Sequence, residues 1–148
     1  MLTTAKGIAN GLPLGATLCA DWIADADPEH GSTFSGGPVV CAATNATLDA
    51  LIEEEYPSHA ADVGEYLQGE LRALADDESV PVREVRGQGL MIGVEVKRGA
   101  NRVLRDLALN HQVLALPAGR TVVRLLPPLV IDREDADQVV DAIREVLS

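Results

Sequence analysis

The chain has 148 residues, with 12 basic against 23 acidic side chains and a formal net charge of −11. At 47% hydrophobic and 24% charged residues its composition is globular, which excludes a disordered acidic tail. The acidic excess repels phosphate over the whole surface, which argues against nucleic acid or an anionic membrane as a partner. No apolar run approaches the roughly 20 residues that span a bilayer. The start, Met1-Leu2-Thr3-Thr4-Ala5-Lys6, lacks the basic-then-apolar order of a signal peptide. The expectation is therefore a cytoplasmic protein of one domain, or one and a fraction. Among the basic residues only Lys6 and Lys97 are lysines. An acidic surface poor in Lys and in aromatics suits a high-salt, halophilic cytoplasm, where screening is short-ranged. A GC-rich genome gives the same bias.

In chain order, residues 1–20 read as a Gly-rich loop, Gly7 to Gly15, feeding a short strand Ala16–Ala20. Asp21 is placed to cap a short helix Trp22–Ala26, which Asp27-Pro28 would stop. A second Gly- and Ser-rich loop runs from His30 to Pro38. From Val39 to about Glu55 the apolar spacing is helical, and Pro57 is expected to break it, with Ser58 capping a further amphipathic helix. Strands are expected at Val82–Val85 and Leu90–Val96, around Gly87-Gln88-Gly89. Residues 100–110 look helical, Val113–Leu116 and Val122–Leu126 look like strands, and Asp132 caps a terminal helix ending at Leu147. The order β-β-α-β-β-α from about residue 80 makes an α+β unit with its own core. Residues 1–60 do not look self-sufficient. The division expected is 1–78 and 79–148.

Cys19 and Cys41 sit in apolar surroundings without metal-ligand spacing, so buried thiols are expected and no metal site is read. Lys6 stands among glycines and small apolar residues. A lysine in a desolvated site loses preference for its charged form, and its neutral amine can form a Schiff base. On local features alone, the surface lysine of a flexible loop is the simpler reading. The loop is no P-loop, since its lysine precedes the glycines.

The segment Ala5-Lys6-Gly7-Ile8-Ala9-Asn10-Gly11-Leu12-Pro13-Leu14-Gly15-Ala16 resembles the cofactor-lysine segment of the class III pyridoxal-phosphate aminotransferases, in their acetylornithine/ornithine branch. His30-Gly31-Ser32-Thr33-Phe34-Ser35-Gly36-Gly37-Pro38 is similar to that family's HGSTFGGNP segment, departing from it at Ser35 and Gly37. Val85-Arg86-Gly87-Gln88-Gly89-Leu90-Met91-Ile92-Gly93-Val94-Glu95, Leu116-Pro117-Ala118-Gly119 and Val123-Arg124-Leu125-Leu126-Pro127-Pro128-Leu129 are like its small-domain signatures. Together these segments cover essentially the whole chain.

The resemblance implies an α/β fold: the C-terminal part of a fold-type I pyridoxal 5'-phosphate enzyme with an α+β small domain. Lys6 would carry the cofactor through a Schiff base and shuttle a proton. Thr33 would bond the cofactor phosphate in the neighbouring subunit of a homodimer, and Ser32 would touch substrate. Arg124 would clamp the substrate carboxylate with its planar fork. His30 is expected to order its loop, Arg86 to fix the Gly87–Gly89 turn, and His111 to lie solvated after a helix end. The reaction implied moves an amino group from acetylornithine, or from a carrier-linked lysine or ornithine, to 2-oxoglutarate. Another class III reaction, of the 4-aminobutyrate or glutamate-semialdehyde type, stays open, as does a non-catalytic remnant acting as an interaction domain. The family's upstream aspartate, stacking aromatic and Gly-rich phosphate turn have no counterpart in this chain. The expectation is thus a C-terminal fragment or half of a split enzyme that needs a missing N-terminal half and is inactive alone.

Overall fold

Burying the β-branched faces of three strands organises the larger part of the molecule. A computed structural model describes residues 1–26, 33 and 36–148, which fall into two compact units, Met1–Glu55 and Tyr56–Ser148. The first holds an antiparallel pair, β1 (Leu2–Thr4) and β2 (Ala16–Leu18), with helices α1 (Asp21–Ala24) and α2 (Pro38–Glu53). The second runs α3 (Tyr56–Ala75), β3 (Val82–Gln88), β4 (Met91–Val96), α4 (Ala100–His111), β5 (Leu116–Ala118), β6 (Val122–Leu125) and α5 (Arg133–Leu147). Its four antiparallel strands lie in the order β3-β4-β6-β5.

Side chains of a strand alternate between faces. Here Val85 of β3, Ile92, Val94 and Val96 of β4, and Val123 and Leu125 of β6 are buried. They share one core with Leu67, Leu71 and Leu74 of α3, Val103 and Leu107 of α4, and Val140, Ile143 and Leu147 of α5. Each such side chain contributes about 1.5–3 kcal/mol when fully buried. An irregularity between Val82 and Glu84 shifts the register, so that Val82 and Val85 both face the core although three positions apart. Asp132 caps α5 as expected, its carboxylate accepting from the Asp135 N–H at 2.9 Å.

Several boundaries differ from the sequence reading, each for a local reason. Asp21 is the first residue of α1 rather than its cap, and Ala20 occupies the cap position. Pro57 does not break the chain. It sits in the first turn of α3, where a missing N–H costs nothing, and Glu55 at φ 51° separates the helices. β5 starts at Leu116, because Val113 is still tied to α4, its N–H donating to the Leu107 carbonyl. Cys19 and Cys41 are exposed rather than buried. An apolar neighbourhood in sequence buries nothing without a facing layer, and α2 has no buried residue. The compact units part between residues 55 and 56, and α3 packs on β3 and α5 within the second.

Helix α3 approaches the β3–β4 turn through a pair of glycines. A Cβ on Gly64 would stand 2.3 Å from the Gly89 backbone, and Gly89 itself has φ 53°. Buried Gln68 fills the remaining polar need, donating to the Gly64 and Gly89 carbonyls at 3.2 and 3.3 Å. Gly64→Ala is expected to cost about 1–3 kcal/mol through forced separation of these backbones, read as a lower urea midpoint.

The Tyr66 hydroxyl donates to Asp137 at 2.6 Å, joining α3 to α5, and that bond raises the phenol above its ordinary pKa. The folded state holds this proton more tightly than the unfolded chain. The contribution is thus full below the ordinary tyrosine pKa and is lost as pH rises through the raised value. In urea titrations from neutral to alkaline pH, Tyr66→Phe should remove this alkaline loss.

Candidate active site

In the first unit, β1 and β2 pair from Leu2↔Leu18 to Thr4↔Ala16, so residues 5–15 form the excursion between them. Ala5 is extended, and Lys6 then turns to φ 58° and opens a 3-10 turn, Lys6–Ala9, closed by Asn10 in the left-handed region. Ala9 is fully buried and anchors the turn, while Lys6 is exposed. Space beside it is open: a Cβ on Gly7 would meet nothing within 4 Å.

The left-handed conformation of Lys6 has no helix-ending role. Asn10 and Gln112 adopt it as C-caps, and Glu55 adopts it after α2, whereas Lys6 starts its turn. A non-glycine residue there carries strain of about 1–3 kcal/mol and persists only where its surroundings enforce it. Such strain collects at functional positions.

Thr33 is exposed in a turn. The N-terminus of α2 follows with Pro38 at its first position and no side-chain cap, which leaves backbone N–H groups for an anion. Ser32 and His30 lie outside the described residues.

In the second unit the helices cover one face of the sheet, and Arg124 stands on the other. The register aligns Arg86, Gly93, Arg124 and Leu116 in one row across all four strands. Directly opposed residues of antiparallel strands share a face. With no side chain at Gly93, a cleft of about 380 Å³ opens over it, lined by Arg86, Met91, Ala118, Val122 and Arg124. A Cβ at Gly93 would already press on Val122 Cγ1 at 3.2 Å.

The two arginines of this row differ in their partners. Arg86 donates to Glu84 at 2.6 Å and to Glu95 at 3.2 Å, and these carboxylates raise its pKa further. Arg124 has a buried Nε with no hydrogen-bond partner. An unsatisfied buried donor costs about 1–3 kcal/mol, more for a charged group. A guanidinium in that state is matched by a carboxylate, which accepts two parallel bonds from its fork.

Other expectations need correction. Arg86 does not hold the Gly87–Gly89 turn; Gln68 does, and its amide is oriented in turn by Arg72 at 3.0 Å. His111 is the last residue of α4, not beyond it, and its Nδ1 lies 3.8 Å from Glu145. Gly93 and Gln68 escaped the sequence reading. A lone glycine inside an alternating strand marks a close approach or a ligand, which was the available signal for Gly93. Among the described residues, no three His, Cys, Asp or Glu side chains cluster as metal ligands. No described helix is long and apolar enough to cross a membrane.

Comparison with known proteins decides the family. The model of the aminotransferase class-III family matches residues 1–147. The chain belongs to the class III aminotransferases. It is 39% identical over 145 residues to an acetylornithine aminotransferase of Methanosarcina mazei, covering 98% of this chain and 36% of that protein. It is 42% identical over 149 residues to a [LysW]-aminoadipate semialdehyde transaminase of Deinococcus radiodurans, covering 99% and 34%. Its fold superposes on a PLP-bound amine transaminase from an uncultivated Pseudomonas species with a TM-score of 0.86 at 36% identity, covering 98% and 37%. This class III chain thus spans about a third of the length of the relatives it matches.

Arg124→Met tests the unpartnered Nε–H. Removing one buried, unsatisfied donor should leave stability unchanged or raise it by about 1 kcal/mol, and should remove any carboxylate binding that this side chain supplies. Thermal unfolding and a titration with butyrate read the two effects separately.

Proposed function

We propose that this chain supplies the lysine and the carboxylate-binding arginine of a pyridoxal-phosphate-dependent aminotransferase. The observation that carries the reading is Lys6, an exposed amine on backbone held at φ 58° beside open space at Gly7. These features fit an aldehyde-bearing cofactor: a primary amine can bond its aldehyde carbon, and glycine lets a flat ring approach the backbone. Bound there, pyridoxal phosphate would supply a conjugated ring that accepts the electron pair of a substrate carbon. Lys6 Nζ holds the cofactor in the resting enzyme and later moves a proton to or from the substrate carbon. The exposed Thr33 hydroxyl suits the cofactor phosphate, and Ser32 is assigned to substrate. Arg124 orients the substrate by its carboxylate.

The amino donor in this reading is acetylornithine or a carrier-linked lysine or ornithine, and the acceptor is 2-oxoglutarate. The names of the relatives support this choice within arginine and lysine biosynthesis. A partner supplies the remaining cofactor contacts, in a cytoplasmic homodimer or from a separate N-terminal half. Support comes from α2, where Val39 and Ile52 are 75% and 73% exposed and no residue is buried. Apolar surface of this kind is stabilised by a covering layer.

Incubation with pyridoxal phosphate, borohydride reduction and peptide mass spectrometry test the reading. A pyridoxyl-phosphate mass is expected on the Lys6 peptide, and none in Lys6→Ala. Absence of the adduct, even with an upstream class III segment supplied in trans, favours the non-catalytic interaction domain instead.

A further inference from the structure

Two arginines flank the Gly93 gap in one cross-strand row, and a five-carbon dicarboxylate could bridge them if both were free. They are not equally free. Adjacent antiparallel strands lie about 4.7–4.9 Å apart, so Arg86 and Arg124 start two strand spacings apart, within reach of one ligand. In the neighbouring row Glu84 pairs with Glu95, placing two carboxylates side by side on the open face. Like charges directly opposed are destabilising, and Arg86 relieves them by bonding both, at 2.6 and 3.2 Å. Arg83 adds a third contact, 3.6 Å from Glu95. Arg86 Nη1 is therefore engaged by both carboxylates, and two arginines against two glutamates leave this group with no net charge to draw a further anion, while Arg124 Nε has no partner.

We infer that Glu84 and Glu95 are specificity-determining residues: they lock Arg86 so that the Gly93 cleft reads one carboxylate, at Arg124, and not two. This inference rests on the proposed role of Arg124. It goes further in stating what the cleft refuses: a ligand's second carboxylate gains nothing from Arg86 and has to be met by groups outside this cleft. The cleft thereby takes a single carboxylate from mono- and dicarboxylic ligands alike.

Butyrate and glutarate serve as probes on the full chain, at equal ionic strength, followed by NMR at the Arg124 Nε–H and by calorimetry. In the wild type both acids should shift the Arg124 signal, with affinities within about twofold, the statistical advantage of two equivalent carboxylates. Glu84→Gln/Glu95→Gln should raise glutarate affinity about fivefold more than butyrate affinity. Adding Arg86→Gln to that pair should cancel the gain, since the released fork is gone. Glu134→Gln/Glu145→Gln, an equal charge change on α5 behind the sheet, should leave the glutarate-to-butyrate ratio unchanged. Glu84, Arg86, Glu134 and Glu145 are exposed and Glu95 is half-buried, so far-ultraviolet circular dichroism should show every variant folded.

A wild-type chain that already prefers glutarate fivefold, with the preference lost in Arg86→Gln, overturns the lock and makes Arg86 a second carboxylate clamp. Butyrate binding at Arg124 with an unchanged ratio in Glu84→Gln/Glu95→Gln also overturns the lock, and leaves the Arg124 role intact. No shift at Arg124 with either acid in any variant overturns that role and the lock together.

Discussion

Burial of one face of the four-stranded sheet is the constraint on which the second unit depends. The inward residues of β3, β4 and β6 meet α3, α4 and α5 in one apolar core. Because side chains alternate, a slip of one residue would turn that whole set towards solvent. Register is therefore fixed by the core, and the outward row Arg86–Gly93–Arg124–Leu116 follows without any interaction of its own having to select it. The strain of an unpartnered Arg124 Nε is carried by packing on the far side of the same strands.

The first unit shows the opposite economy. Ala9 is its only buried hydrophobic residue among those described, and α2 presents an apolar sequence to solvent along its length. Its order is local: a three-rung strand pair, one 3-10 turn and two helices. Lys6 is nevertheless held in an unfavourable backbone conformation. Few buried residues and a strained lysine together describe a segment shaped for surroundings larger than itself.

How much of this was legible in sequence depended on the range of the forces involved. The α+β order from about residue 80 and the Asp132 cap could be read because periodicity and capping are local. The five quoted segments, in order, brought out the family resemblance, which the match over residues 1–147 bears out. Other features needed the third dimension. The exposure of Cys19 and Cys41 depends on a layer that local sequence cannot supply. The role of Pro57 turned on whether Glu54-Glu55 would end α2 first, a choice between two equally local breaks. Gln68 looked like one more polar residue on an amphipathic helix. Only the contact of Gly64 with Gly89 made it the one buried polar side chain among the described residues, bonded to both backbones. Arg86 was assigned to the nearest turn, because the cross-strand pairing that brings Glu95 to it is not visible along the chain.

The outer strands of the sheet have a consequence for how copies of this chain meet. β5 forms one border and has Pro117 at its centre, with no N–H to offer a further strand. β3 forms the other, and its irregular register and charged Arg83, Glu84 and Arg86 make it a poor template for a neighbour. Neither border is built for main-chain polymerisation. Copies are left to associate through side-chain surfaces, which can be selective, rather than by endless extension of this sheet.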